Sequence, residues 1–330
     1  MNKGGNPYRG SLQLKAMLVK RKKSRIVSIA VIILFVTVIG VLYHYTKRSY
    51  VDPVVTEVTI ESDKVTEPIK YLYFADLHEN RFGNENQQLY DQIRYLDPDF
   101  ILIGGDLISW TTKDARPYAA DVISNLSEIA DVYFCLGNHE IEYLIARNEI
   151  EYTNIDRDNA SFILPDVELN GLIATIKNAG AVVLQRAWKD IEVKGTKIRI
   201  GAAYEDMYSL DEDNPLVTMQ TGMYSFLTDF QRTDALTIYM AHRPSSFLLR
   251  NGSSLWDIDV VLSGHEHGGQ VILPFLGGLF SRERGFFPDY THGTFIFGNT
   301  TMIVTSGLGS DDEFLPRFNN PPEMVFVTVQ

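Results

Sequence analysis

The feature that most constrains the fold is a series of short apolar runs, each of which ends in a polar or glycine-rich turn. The runs occupy residues 71–74, 100–103, 132–136, 198–200, 238–240 and 260–262. Runs of this length that are continuously apolar are typical of strands buried on both faces. Between them lie amphipathic segments such as residues 86–96, where Leu89, Ile93 and Leu96 share one helical face. The pattern predicts an α/β fold.

Polar side chains that bind metals are concentrated where these runs end, and five of the seven histidines lie there. In open α/β sheets the crevice at the carboxyl ends of the strands binds ligands, so we expect these side chains to converge. Carboxylate, amide and imidazole groups suit Mn, Fe or Zn. This many ligands predicts two divalent metal ions. The side chains, in chain order, are Asp76, His78, Asp106, Asn138, His139, His242, His265 and His267.

Each motif taken alone also has an ordinary structural interpretation. An Asp-x-His sequence at a strand end is often a simple turn, and Asn138 is a good residue to cap the following helix. The pair His265 and His267 also fits a histidine-containing core. The occurrence of all the motifs in one order favours the metal centre.

The ordered set resembles the calcineurin-like metallophosphoesterase superfamily. Residues 264–270, 306–309 and 317–323 look like its membrane-associated bacterial branch, the YkuE and YaeI type. The resemblance covers roughly residues 68–330. It implies a four-layer α/β/β/α metallophosphoesterase sandwich with the metals at one end, preceded in this chain by one N-terminal transmembrane helix.

The resemblance also implies a role for each residue. Asp76, His78 and His267 would bind the first metal, Asp106 would bridge, and Asn138, His242 and His265 would bind the second. A metal-bound hydroxide would attack phosphorus. His139 would be the catalytic proton donor to the leaving group, or alternatively would orient Asp76 or Asp106. Two departures are Glu266, where the branch usually has Thr, and a long segment near residues 140–170 that is interpreted as an insertion.

Contacts to the substrate are less visible in the sequence. Guanidinium groups suit phosphate oxygens, which makes Arg81, Arg243 and Arg317 candidate substrate-binding residues, with a solvated or structural role as the alternative for each. Residues 271–288 form an apolar loop interrupted by two arginines and a glutamate. A place in the core is the favoured interpretation of this loop, and contact with lipid is the alternative.

Residues 26–43 contain no charged side chain, and five cations lie among the six residues before them. This length is near the lower limit for a helix that spans a bilayer, and flanking cations are typical of its cytoplasmic end. The sequence predicts a cell-membrane protein with a single pass, a basic cytoplasmic segment at 1–25, an uncleaved signal-anchor at 26–43, and an extracytoplasmic catalytic domain. A buried core helix and a cleaved signal peptide are the alternatives, but no small-residue cleavage site follows.

The remaining chain divides into a tether with a possible first strand at residues 44–69 and a catalytic domain at 70–330. The net charge is −12, although residues 1–25 contain eight cations and no acid, so the rest of the chain is strongly acidic and nucleic-acid binding is not expected. The single cysteine excludes an internal disulfide. Nothing in the sequence specifies the oligomeric state.

These observations predict a membrane-anchored, dinuclear metal-dependent hydrolase of phosphate esters, with manganese as one candidate metal. A phosphodiesterase acting on a lipid-linked or envelope phosphate ester is the favoured form, because the short tether keeps the site near the bilayer. One alternative is a hydrolase that resembles UDP-2,3-diacylglucosamine pyrophosphatase, whose substrate is cytoplasmic. An alternative from another class is a catalytically silent binding module with the same fold.

Overall fold

A computed structural model describes residues 8–51, 53–150, 171–204, 223–248, 252–310 and 315–330. The chain divides into two compact units, Met1–Lys47 and Arg48–Gln330. Most of the predicted insertion near 140–170 lies outside the described residues. The part of it that is described begins as helix, because Asn138–Ala146 is helical.

The first unit contains most of a long helix, α1 (Tyr8–Val51). Within it, Lys20–Val51 is the one helix of the described chain that is long and apolar enough to cross a membrane. A signal sequence near an N-terminus meets the same criteria. The apolar side chains of residues 26–43 are exposed around the helix, which does not fit the core-helix alternative.

The second unit contains two six-stranded sheets. In the first, β2 to β5 are parallel neighbours, β16 lies antiparallel beside β2, and β1 lies parallel beside β16. Its strands in spatial order are β1 (Val54–Ile60), β16 (Glu323–Val329), β2 (Ile69–Phe74), β3 (Phe100–Ile103), β4 (Asp131–Cys135) and β5 (Val182–Leu184).

In the second sheet, β7, β8, β9 and β15 are parallel, and β6 and β14 are antiparallel strands at the two edges. Its strands in spatial order are β14 (Gly293–Phe297), β15 (Thr300–Val304), β9 (Val260–Ser263), β8 (Leu236–Met240), β7 (Thr196–Ala202) and β6 (Ala187–Val193). Two short hairpins precede β14. They consist of β10 (Ile272–Leu273) with β11 (Gly277–Gly278), and β12 (Phe280–Ser281) with β13 (Gly285–Phe286).

Helices of the second unit lie between the strands along the chain. They are α2 (Gln87–Leu96), α3 (Arg116–Ser127), α4 (Asn138–Ala146), α5 (Leu172–Asn178), α6 (Met223–Phe230), α7 (Pro244–Leu248) and α8 (Gly252–Leu255), with single 3₁₀ turns at Asn84–Asn86 and His267–Gly269.

Three apolar clusters form the core. One contains side chains of both sheets, such as Tyr71 and Val260. A second joins the first sheet to α2, α3 and α5, and a third joins the second sheet to α6 and Phe247. This distribution follows from the alternation of side chains along a strand, which sends neighbouring residues to opposite faces.

All six apolar runs are strands, so the mixed α/β fold is confirmed; the four-layer order stays a prediction with which the clusters agree. The predicted helix at 86–96 begins one residue later, at Gln87. The possible first strand of the tether is β1. The favoured core position of residues 271–288 is wrong, because several large apolar side chains of these hairpins are exposed.

Candidate metal centre

The eight predicted metal-binding and catalytic side chains lie together beyond the carboxyl ends of β2, β3, β4, β8 and β9. Their carboxylate oxygens and ring nitrogens form three groups in which all the atoms lie within 4.8 Å of one another. The groups are Asp76, His78 and His267; His78, Asp106 and His139; and Asp106, His242 and His265. His78 and Asp106 each belong to two of these groups and so connect all three.

His242 connects Asp106 to Asn138. Its Nδ1 donates a hydrogen bond to the carbonyl of Gly104 over 2.8 Å, which fixes the ring. Its Nε2 lies 3.1 Å from Oδ1 of Asn138 and 3.2 Å from Oδ2 of Asp106. The structure thus brings the amide oxygen of Asn138 to the group formed by His242, His265 and Asp106.

The backbone around Asp106 is fixed by Glu140, at the third position of α4. Its carboxylate accepts hydrogen bonds from the N–H groups of Asp106, Leu107 and Gly137 over 2.8, 2.9 and 2.8 Å. Asp106 in turn accepts a hydrogen bond from the N–H of His139 over 2.7 Å. Glu140 was not among the predicted site residues, although a glutamate three residues after a helix N-cap is the signal for a carboxylate that accepts the N-cap N–H, which is one half of a capping box.

Glu283, in the turn between β12 and β13, contacts a predicted ligand from a distant part of the chain. Its Oε1 lies 3.2 Å from Nε2 of His265 and 3.7 Å from a guanidinium nitrogen of Arg243. Its other carboxylate oxygen accepts a hydrogen bond from Ser245 over 2.8 Å. The interaction with His265 is of the kind in which a carboxylate orients a histidine ligand.

Two buried side chains hold the loop of His267. Nδ1 of His267 donates to the carbonyl of Gly309 over 3.2 Å, and the same carbonyl accepts a hydrogen bond from Arg317. The side-chain amide of Asn320 donates to the carbonyl of His267 over 2.7 Å. This leaves Nε2 of His267 facing Asp76, 3.9 Å from its Oδ1.

Five of the predicted ligands have left-handed backbone conformations. Asp76, His78, Asp106, His265 and His267 have φ values of 56°, 46°, 52°, 66° and 46°. Such conformations are uncommon for residues other than glycine and cluster at functional sites, where the surrounding structure must impose them. Two glycines permit the close approach of these turns. A Cβ added at Gly137 would overlap the carboxylate of Asp106, and one at Gly264 would overlap that of Asp76.

The two carboxylates of the site differ electrostatically. Burial, with the nearby charge of Asp106, raises the pKa of Asp76 to about 6. Burial alone would raise the pKa of Asp106 as well, but the surrounding histidines, His242 first, hold it well below its usual range. The site therefore holds an ionised carboxylate among several imidazoles, an arrangement suited to cations.

His78 provides the test of whether a metal fits. Its side chain is only 3% exposed, and neither ring nitrogen has a hydrogen-bond partner among the described residues. Burial lowers its pKa to about 3, so the ring is neutral and carries a free lone pair. Nε2 lies 4.0 Å from Asp76 and 3.8 Å from Asp106. A buried neutral imidazole beside two carboxylates fits a divalent cation.

His139 has a defined tautomer in this arrangement. The backbone N–H of Trp110 donates a hydrogen bond to Nδ1 of His139 over 3.3 Å, so Nδ1 is an acceptor and Nε2 carries the proton. The rings of His139 and His78 meet edge to face, with centroids 4.4 Å apart. His139 also lines the cavity that contains the site.

The three candidate arginines lie in different environments. Arg81 is half exposed and pairs with Glu85. Arg243 follows His242 and lies over the ring of Tyr204, 5.2 Å from its centroid. Arg317 is only 1% exposed, and its guanidinium donates to the backbone carbonyls of residues 309, 320 and 321. This geometry argues against the predicted contact of Arg317 with substrate.

Glu266, the departure from the pattern, is buried beside Ser281, and burial raises its pKa. It lines the same cavity as the predicted ligands, together with Phe280, Ser281 and Arg282 of the second hairpin. The hairpin thus forms part of the cavity wall.

Comparison with known proteins gives a consistent result. The sequence model described as calcineurin-like phosphoesterase matches residues 69–269. The phosphodiesterase YaeI of Escherichia coli (strain K12) is 26% identical over 288 residues, 86% of this chain and 90% of that protein. The UDP-2,3-diacylglucosamine pyrophosphatase LpxG of Chlamydia muridarum (strain MoPn / Nigg) is 22% identical over 291 residues, 78% of this chain and 82% of that protein.

Similarity to solved structures is lower. The 5'-nucleotidase precursor from Thermus thermophilus aligns with a TM-score of 0.42 and 14% identity, over 73% of this chain and 49% of that chain. The chain spans about half the length of this protein and of others at the same level of similarity.

Proposed function

The chain belongs to the calcineurin-like phosphoesterase family, and from this premise we propose that it is a membrane-anchored phosphodiesterase acting on a lipid-linked or envelope phosphate ester. The family uses two divalent metals, and hydrolysis of phosphate esters is its general activity. The observation that carries the proposal is the convergence of three potential metal-binding groups, of which the first and second share His78 and the second and third share Asp106.

We assign the ligands from these groups and from the contact of Asn138 with His242. Asp76, His78 and His267 would hold one divalent metal, and His242, His265 and the amide oxygen of Asn138 would hold a second. Asp106 would be a ligand shared by the two positions. Two divalent ions would withdraw charge from the phosphoryl oxygens and activate water as the nucleophile.

The protein's own groups complete the reaction. Glu140 holds the backbone of residues 106–108, which fixes the carboxylate of Asp106 beside His78 and His242. His139, with its N–H on Nε2, would donate a hydrogen bond to the leaving oxygen and stabilise its developing charge, and the N–H of Trp110 holds the ring in this tautomer. The alternative role for His139 is to orient Asp106, which accepts its backbone N–H.

Arg81 and Arg243 are the arginines that we propose for substrate contact. Arg243 is supported by its position directly after the ligand His242 and by its contact with Glu283, which in turn contacts His265. Arg81 follows the Asp76 and His78 turn and is half exposed. We leave Arg317 out of this set because its donors are directed at backbone carbonyls.

The lipid-linked substrate and the membrane location depend on the apolar helix. Lys20–Val51 has the length and composition of a membrane span, and β1 begins at Val54, directly after it. A catalytic unit tethered so closely meets phosphate esters of the bilayer and the envelope first. The basic residues 1–25 support a cytoplasmic N-terminus and a catalytic unit on the outer side of the membrane. The catalytic unit would bind manganese, iron or zinc there. In this arrangement the helix is a single-pass signal-anchor.

A second candidate is a pyrophosphatase that acts on a UDP-linked diacylglucosamine. The similarity to LpxG over 78% of this chain favours it. It requires the catalytic unit on the cytoplasmic side, where nucleotide-linked precursors are made, and this conflicts with the orientation expected from the charges. A protease-protection assay of a tag at Gln330 in intact cells separates the two topologies, since an external tag is digested.

The test of the activity uses the full chain in detergent, stripped of metal and reloaded with manganese. We expect hydrolysis of bis(p-nitrophenyl) phosphate that requires metal, is abolished by Asp106→Ala, and is unchanged by His292→Ala, a histidine outside the metal groups. A panel of phospholipids, nucleotide diesters and UDP-linked lipids then identifies the substrate class. Absence of metal-dependent hydrolysis by a folded, metal-loaded protein would instead support the silent binding module.

A further inference from the structure

The two hairpins at residues 271–288 expose an unusual set of apolar side chains. The exposed fraction is 107% for Phe275, 65% for Leu276, 64% for Phe286 and 55% for Phe287. Phe275 and Leu276 lie in the turn of the first hairpin, and Phe286 and Phe287 lie at the end of the second. We call these four residues the hairpin tips. Aromatic side chains of this size each offer a large apolar area, and a contiguous exposed apolar patch marks an interaction site.

The second hairpin is a wall of the catalytic cavity. Phe280, Ser281 and Arg282 line it together with His139 and His265. The hairpin tips therefore lie on the same short segment as residues at the cavity. A surface that contacts the tips would therefore lie near the cavity that contains the metal centre.

The first hairpin is connected to the chain that leaves the apolar helix. The N–H of Ile272, at its base, donates to the carbonyl of Phe318 over 3.1 Å. One residue earlier, the N–H of Arg317 donates to the hydroxyl of Tyr50 over 2.8 Å, and the N–H of Asn320 donates to Ser49 over 3.1 Å. The segment of residues 317–320 thus contacts the base of the hairpin on one side and residues 49–50 on the other.

This connection limits the distance from the hairpin base to the apolar segment. Ser49 is six residues after Tyr43, the last residue of the uncharged stretch. Six residues span at most about 20 Å, even when fully extended. If residues 26–43 lie in a bilayer, the base of the hairpin is held near its surface by a short tether and two hydrogen bonds.

The charges beside the tips fit an anionic lipid surface. Arg282 and Arg284 lie in the turn of the second hairpin, where Glu283 between them contacts His265 and Arg243. Lys47 and Arg48 precede the contact residues Ser49 and Tyr50. Aromatic and aliphatic tips flanked by cations are the composition of segments that lie in the headgroup region, where the cations meet anionic lipids.

We propose that the hairpin tips insert into the headgroup region of the bilayer that holds the apolar helix, and thereby keep the mouth of the catalytic cavity at the lipid surface. This interaction surface rests on the membrane anchoring proposed above, and it does not depend on which phosphate ester is cleaved. Its partner is a lipid bilayer that contains anionic headgroups.

The test places a fluorophore at the tips of the full chain in liposomes of phosphatidylcholine and phosphatidylglycerol. Single variants Phe275→Cys and Phe287→Cys are labelled with an environment-sensitive dye; Cys135 is fully buried and does not compete. Tyr95→Cys is the matched control, because Tyr95 is 89% exposed on α2. Nitroxide-labelled lipids are expected to quench the two tip positions at least about twice as strongly as position 95, because interfacial side chains lie about 5–10 Å into the bilayer.

Equal quenching at positions 275, 287 and 95 would overturn the proposal. So would disulfide cross-linking of unlabelled Phe275→Cys or Phe287→Cys chains to each other, together with no quenching of the labelled chains, which would make a second copy of the chain the occupant. A second experiment uses the double variant Phe275→Ser, Leu276→Ser. We expect its hydrolysis of soluble bis(p-nitrophenyl) phosphate to stay unchanged, and its hydrolysis of a diester lipid in the liposomes to fall about tenfold.

The two experiments separate this proposal from the proposed function. If the unaltered protein hydrolyses neither ester, the proposed phosphodiesterase activity is contradicted, and the quenching result still tests the membrane contact of the tips. Equal activity of the unaltered protein and the double variant on the lipid diester, together with hydrolysis of the soluble ester, would contradict the role of the tips alone.

Discussion

The backbone N–H of Trp110 donates a hydrogen bond to Nδ1 of His139. Because a donor on Nδ1 would face another donor, this contact places the ring N–H of His139 on Nε2, from which it can hydrogen-bond to a leaving oxygen. The predicted ligand His78 differs, since neither of its ring nitrogens has a hydrogen-bond partner in the part of the chain that the structure describes. The contact with Trp110 therefore distinguishes His139 from its neighbour in the metal groups.

His139→Ala is expected to keep both metals and to lower kcat by about 10²–10³-fold, the range for loss of one hydrogen-bond donor to a developing oxyanion. The loss should be smaller for p-nitrophenyl esters than for alkyl esters, because nitrophenolate leaves without a hydrogen-bond donor. Elemental analysis and kinetics on the two esters test this. Asp106→Ala is the contrasting variant, which should lose metal as well as activity. Equal metal loss in both would refute the separation of roles.

Glu283→Gln is expected to lower the affinity for the second metal by about 10–100-fold, because the Glu283 carboxylate orients His265. Loss of a group that orients a metal ligand has effects of this size. Titration of metal-free protein with manganese measures the affinity. Glu192→Gln is the matched control, because Glu192 is an exposed carboxylate on the edge strand β6. If the two variants bind manganese equally well, Glu283 has no part in the metal centre.

Glu140→Gln is expected to destabilise the protein by about 2–4 kcal/mol, because the amide would place N–H donors against the backbone donors that now share the carboxylate. Denaturant unfolding of the full chain in detergent measures the change. Since Asp106 would lose its fixed backbone, metal content should fall too. An unchanged midpoint of unfolding would show that these hydrogen bonds do not stabilise the site.

Metal binding is expected to strengthen as the pH rises toward about 9. Burial would lower the pKa of His242, but Asp106, then Asp76 and the carbonyl of Gly104, raise it from 6.5 to about 9 in the metal-free protein. A metal takes the neutral ring, so binding below that pH releases about one proton from His242. Calorimetry in buffers of different ionisation enthalpy measures the release.

The raised pKa of His242 also makes the stability of the metal-free protein depend on pH. A raised pKa means that His242 stabilises the metal-free fold fully below pH 6.5 and that this contribution is lost as the pH rises through about 9. His242→Gln in the metal-free protein should therefore lose stability mainly at neutral and lower pH. A difference from the unaltered protein that is constant from pH 6 to 10 would contradict the assigned charge.

Arg317→Met is expected to lower stability by about 2–4 kcal/mol, because the carbonyls of Gly309, Asn320 and Pro321 would lose buried donors. KM of the remaining folded protein should not rise, since the guanidinium is not exposed to substrate. Arg243→Met provides the comparison, with KM expected to rise and stability to change little. A raised KM in Arg317→Met at unchanged stability would restore its role in substrate binding.

The sequence predicted the strands and the metal side chains because both signals are local. Continuous apolar runs are buried as strands, and the residues that end parallel strands meet at one edge of the sheet. Asp76 and His265 therefore converge although they are 189 residues apart. Glu140 was within reach of sequence reasoning through its spacing from Gly137.

Other features have no local signal. Glu283 contacts His265 only because a hairpin folds back over the cavity, and nothing near Glu283 in the sequence indicates that contact. Arg317 lies among prolines and asparagines, a composition typical of a surface turn. Its side chain is nevertheless buried and donates hydrogen bonds to backbone carbonyls. The apolar composition of residues 271–288 led to the prediction of a core position, because composition does not distinguish a buried from an exposed phenylalanine.

The position of β16 between β1 and β2 has a consequence for how the domain is made. Among the described residues, β1 pairs only with β16, and Val54 meets Glu323 in their register. A ribosome adds about 5–20 residues per second, so β1 emerges roughly 13–50 s before its partner strand is synthesised. During that interval the nascent chain carries an unpaired strand directly after its apolar helix. β1 can therefore take its place in the sheet only after β16 has been synthesised.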